Sequence, residues 1–116
     1  MKNLKALLFT LVLFVTLGIN AQKKQEKKAK KIATEMTKVL DLTKKESKTV
    51  YKIHFDKFKE STAIKKLYAN QSEVKKQNLK KLGNKVYNQL KDALGGKEKG
   101  KLRLKKWKEY KQSKNK

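Results

Sequence analysis

The sequence has no cysteine and no proline, one histidine, one tryptophan and only ten acidic residues in 116. Without cysteine there is no disulfide framework, no thiolate nucleophile and no zinc-ligand spacing. With His54 as the only histidine, and no glycine-rich loop of the kind that cradles phosphates, the usual equipment of an enzyme is missing. His54 lies one turn from Val50, Tyr51 and Phe58 and reads as a packed helix residue rather than a ligand. Asp56 and Glu60 share a helix face at i,i+4, a spacing that could pair two carboxylates for catalysis. Lys52, Lys57 and Lys59 surround them, so ion pairing on a solvated face is the simpler reading. No catalytic, cofactor-binding or metal-binding residue is therefore assigned. The absence of proline leaves helices unbroken, and no useful stretch alternates as a strand would, so the expected fold class is all-α.

Charge of the opposite sign is abundant. Thirty-three basic residues give a formal charge of +23 and an isoelectric point near 10.2. All but Arg103 of the basic residues are lysine. Lysine is a hydrated point charge on a flexible stem, whereas arginine is the better reader of bases, so sequence-specific nucleic-acid recognition is disfavoured. Non-specific attraction to polyanions is not: nucleic acid, anionic membrane surfaces and acidic unfolded proteins all remain open as partners.

Along the chain, residues 1–21 read as a secretory signal peptide. Lys2 and Lys5 precede an apolar run from Ala6 to Leu17, and Ile19-Asn20-Ala21 places a small residue before Gln22. No lipobox cysteine follows. Residues 22–31, nearly all Lys, Gln and Ala, read as a basic disordered N-terminus. A helical domain over 32–94 follows, with a first helix from Ile32 to Leu40, a second from Lys44 toward Tyr68 and a third from about Glu73 to Leu94. The second carries Val50, Tyr51, Ile53, Phe55, Phe58, Ile64 and Leu67, a face too wide for one coiled-coil seam. Gly83 inside the third serves either a close helix approach or nothing. Residues 95–100 form a glycine-rich connector, and 101–116 a basic amphipathic tail in which Leu102, Leu104, Trp107 and Tyr110 alternate with Arg103 and lysines. The expected architecture is an elongated antiparallel hairpin or bundle of about three main helices with a short basic C-terminal helix. A core this thin favours a homodimer.

Asp41 to Thr43 marks the corner between the first two helices. Thr43 and Glu46 have the spacing of a capping box, in which a threonine hydroxyl and a glutamate carboxylate each satisfy an amide at the start of a helix. Leu42, Thr43 and Glu46, within Leu-Asp-Leu-Thr-Lys-Lys-Glu, resemble the Leu-Thr-x-x-Gln motif of Spy/CpxP-like small secreted helical proteins, with an acid in place of the amide. The second copy of that motif is missing, since the corresponding stretch reads Leu94-Gly95-Gly96-Lys97-Glu98. The resemblance implies an exported protein of the Gram-negative envelope, most simply periplasmic, that holds non-native proteins without ATP or takes part in stress signalling.

The residues and the resemblance together leave three functional classes. One is a non-enzymatic binding protein that holds non-native or acidic proteins on a positively charged, partly apolar surface. Another is a cationic module whose tail binds an anionic membrane surface or nucleic acid. The third is a structural protein whose charge serves solubility. Phe55, Phe58, Arg103, Trp107 and Tyr110 are the candidate contacts for a client or polyanion.

Overall fold

A computed structural model describes residues 19–115, so the signal-peptide reading of residues 1–21 falls largely outside the described residues. Four helices follow one another: α1 (Ile19–Leu40), α2 (Lys44–Leu67), α3 (Ser72–Ala93) and α4 (Gly96–Lys114). No strand occurs among the described residues. Each helix packs on the next, and α4 returns against α1 to close the ring. Gln25 meets Thr62 while Thr37 meets Ser47, so α1 and α2 run antiparallel. Arg103 meets Glu46 at the start of α2, just past the end of α1, while Lys114 further along α4 meets Glu35 back inside α1, so α4 runs antiparallel to α1.

The buried faces have helical spacing. In α1, Gln25, Ala29, Ala33, Met36 and Leu40 lie three or four residues apart and line one side. Leu82, Val86 and Leu90 do the same in α3, and Gly100, Leu104 and Trp107 in α4. With Leu42, Val50 and Leu94 these side chains form one core, bordered by Ile32, Val39, Tyr51, Ile53, Ile64 and Tyr110. The molecule measures 38 × 33 × 27 Å, compact where an elongated hairpin was expected.

The first corner is built from both sides. Asp41 takes the left-handed conformation at φ 53°, and the Leu42 amide donates to the Thr37 carbonyl at 3.1 Å, the long bond of a Schellman helix end. That turn drives Leu42 into the core. Thr43 and Glu46 then form the capping box: the Glu46 amide donates to Thr43 Oγ1 at 3.1 Å, and the Thr43 amide donates to Glu46 Oε1 at 3.0 Å.

Two segment readings are corrected and a third is extended. Residues 22–31 are helical, because Lys, Gln, Glu and Ala are all good helix formers and Gln25 and Ala29 find burial against the rest of the bundle. Residues 95–100 are not a connector: only Leu94 and Gly95 separate α3 from α4, and Gly96 begins the new helix. The C-terminal segment 101–116 is helical as expected, but its helix starts earlier, at Gly96, and packs as a fourth member of the bundle over 19 residues, with Trp107 only 7% exposed.

Gly83 and Gly100, both in helix interiors, have opposite roles. A β-carbon at Gly100 would collide with the Lys91 carbonyl oxygen, so α3 and α4 touch backbone to backbone there. A β-carbon at Gly83 would meet nothing within 4 Å. Gly100→Ala is expected to destabilise the protein by about 1–3 kcal/mol or more through forced separation of the two helices. Gly83→Ala is expected to stabilise it by about 1 kcal/mol through helix propensity alone. Urea titration of the two variants checks both signs.

Candidate functional site

A concavity lies between α1 and α2. It is an open groove of about 790 Å³ whose edge carries Lys23, Lys27 and Lys30 from α1 and Lys48 from α2. Ala33 and Tyr51 line it too, with Thr34 and Ser47, and Glu26 is its one acid. Antiparallel pairing creates the groove by setting the lysine-bearing side of α1 beside the Tyr51 side of α2. The two helices are also joined by side chains, with Thr37 Oγ1 donating to Ser47 Oγ at 2.7 Å and Gln25 Nε2 donating to Thr62 Oγ1 at 3.1 Å. Tyr51 stacks on Phe55 one turn along α2, with ring centroids 6.0 Å apart and planes 8° from parallel, and Lys59 Nζ lies 5.2 Å from the Phe55 centroid. Half-buried aromatic rings and ammonium groups therefore alternate on this side of the molecule.

The five sequence-derived contacts do not come together. Phe55 belongs to the Tyr51 stack beside the groove. Phe58 is half-buried against His54, at 6.4 Å between centroids, and has Lys28 and Lys57 each at 5.9 Å from its ring. Arg103 is committed to Glu46 at 2.7 Å and to the Leu94 carbonyl at 3.3 Å. Trp107 is in the core, stacked on Tyr110 at 5.5 Å. The Tyr110 hydroxyl donates to Glu35 Oε2 at 3.4 Å. Trp107 is thus buried in the core, and Arg103 and Tyr110 anchor α4 to its neighbouring helices. Lys23, Lys27 and Lys30 were missed because residues 22–31 read as disordered. Gln25, Ala29, Ala33 and Met36 at helical spacing were the signal that could have revealed α1 there.

Comparison with protein-family models, with curated proteins and with solved structures finds no match to this chain. Among the described residues no helix is long and apolar enough to cross a membrane.

His54 is 5% exposed, and neither ring nitrogen has a hydrogen-bond partner. Burial, reinforced by the charges of Lys57 and Lys111, lowers its pKa from 6.5 to about 4. The unfolded chain therefore binds a proton that the folded chain refuses between those two values. Stability from this source is intact above pH 6.5 and falls as the pH drops toward 4, by about 3 kcal/mol at most. Glu46, held down by the Thr43 amide and Arg103, and Glu35, held down by Lys114, add a further loss at lower pH, as each is protonated. His54→Leu is expected to keep full stability at pH 7 and to flatten the loss between pH 6.5 and 4, leaving only the carboxylate limb. Thermal melts across that range check it.

Proposed function

We propose that this chain is an exported, non-enzymatic binding protein that holds acidic, partly unfolded protein segments without ATP. The observation that carries the reading is the α1–α2 groove, where four lysines edge a surface that includes Tyr51 and Ala33. A predominance of positive charge around apolar surface, four lysines against Glu26, suits a client that offers both acidic and apolar side chains. Lysines attract it from a distance, and contact with the rings retains it after salt has screened the attraction. The leader over residues 1–21 and the Leu42-Thr43-Glu46 corner support an envelope location and a likeness to Spy-like chaperones. The tail-anchor alternative loses its aromatic support, since Trp107 is occupied inside the bundle.

The test is suppression of aggregation of chemically unfolded model proteins at equimolar ratio. Lys23→Gln, Lys27→Gln and Lys30→Gln together are expected to slow capture about fivefold to tenfold at low salt while the melting temperature is kept. Tyr51→Ser and Phe55→Ser are expected to shorten retention without changing net charge. Absence of suppression with several acidic clients, or suppression that vanishes entirely at moderate salt, overturns the holding function.

A further inference from the structure

Both walls of the α1–α2 groove are helices, and that decides what it can offer a client. Its lining residues lie inside α1 and α2, where backbone groups are bonded within each helix, and no strand edge exists among the described residues. Its hydroxyls are engaged as well: Thr34 Oγ1 donates to the Lys30 carbonyl at 2.7 Å, and Ser47 Oγ accepts from Thr37. Lysine ammonium groups donate only. Apart from Glu26 and the Tyr51 hydroxyl, little is left to accept from the N–H groups of an extended segment pressed against Ala33 and Tyr51. A helix brings its backbone hydrogen bonds with it and needs only side-chain contacts.

The lysines are arranged for such a partner. Lys23, Lys27 and Lys30 stand at i, i+4 and i+7 on one face of α1, and Thr34 continues the row, so the groove follows α1 for about three turns, roughly 16 Å. Lys48 edges it from α2. All four lysines are exposed, and none enters an ion pair among the described residues. A partner helix laid along the groove has the same rise per residue. Carboxylates at i, i+4 and i+7 therefore meet this row turn for turn, while an adjoining apolar stripe faces Tyr51 and Ala33. Residues 1–18 hold Lys2 and Lys5 and no acid, and a second copy of the chain carries the same formal charge of +23, so neither answers these lysines.

We infer that the α1–α2 groove docks an acidic amphipathic α-helix of another protein, with carboxylates at helical spacing along Lys23, Lys27 and Lys30. This docking mode rests on the holding function proposed above and narrows its clients to segments that are helical, or become so, when bound.

The experiment uses three labelled peptides of about 18 residues, five turns, with identical composition of Glu, Leu, Ala and Gln. The first places Glu at i, i+4, i+7 and i+11 beside a leucine stripe. The second alternates Glu and Leu as a strand would, and the third keeps the first order but carries two D-residues at its centre, which break a right-handed helix. Fluorescence anisotropy gives the affinity for the protein produced with its own leader and purified from the soluble fraction, and carbon-13 shifts of the bound peptide give its helicity. The first peptide is expected to bind at least about tenfold more tightly than the other two and to become helical on binding. Lys27→Gln/Lys30→Gln is expected to weaken it about fivefold to tenfold at an unchanged melting temperature, whereas Lys80→Gln/Lys108→Gln, with equal charge loss outside the groove, leaves it unchanged. Equal binding of all three peptides, no binding of any, or equal weakening in the two variants overturns the helical site. If aggregation suppression through the same lysines persists in that case, the holding function stands without it. Tight helical binding by a protein that suppresses no aggregation keeps the site and removes the holding function.

Discussion

One carboxylate, that of Glu46, holds the four-helix arrangement at its most crowded corner. Its Oε1 accepts from the Thr43 amide and closes the start of α2, and its Oε2 accepts from Arg103 of α4 at 2.7 Å. Arg103 in turn donates to the Leu94 carbonyl at the end of α3. The Schellman turn that ends α1 is immediately adjacent, so the end of α1, the start of α2, the end of α3 and the first half of α4 meet here. Arginine suits this position because its planar group serves two acceptors at once, which a lysine ammonium does with less geometric definition.

The same economy governs the other acids. Glu60 ties α2 to α3 through Lys85, and Glu35 ties α1 to α4 through Lys114. Together with Glu46 and Arg103 these are the three ion pairs among the described residues, and every one bridges two helices. Two of them are exposed enough that each contributes little alone, roughly 0–1 kcal/mol. In a chain of charge +23 their larger effect is local, since each places a negative charge where lysines of neighbouring helices would otherwise repel.

How much of this could be read from the sequence depended on whether the signal was local. The Thr43 and Glu46 corner is a contact between residues three apart, and it formed as its spacing implied. The bounds of α2 and α3 also followed, because large apolar residues repeat along both. The first half of α1 did not, since its buried positions are Gln25 and Ala29, neither of which announces a core. In α4 the exposed Leu102, at 68%, blurred a face that Gly100, Leu104 and Trp107 define clearly once seen in space. Gly100 misled for a related reason: glycine at a helix contact and glycine in a flexible link look alike until the partner backbone is known. The groove was illegible in principle, because its lysines and Tyr51 lie on different helices and meet only through antiparallel pairing.

The order of helix contacts bears on how the chain acquires its structure. Three of the four packed pairs join helices that are consecutive in sequence, and only α1 with α4 closes across the full length. Contacts between near neighbours require little loop-closure entropy, which places the domain among rapid folders. With no proline in the sequence, slow peptide-bond isomerisation is also absent as a rate-limiting phase. During synthesis α1 and α2 are complete before α4 exists, so the hairpin that carries the lysine-edged groove precedes the helix that seals the core. Docking of α4, with Trp107 and Arg103, is then the step that converts an open, self-repelling hairpin pair into a cooperative unit.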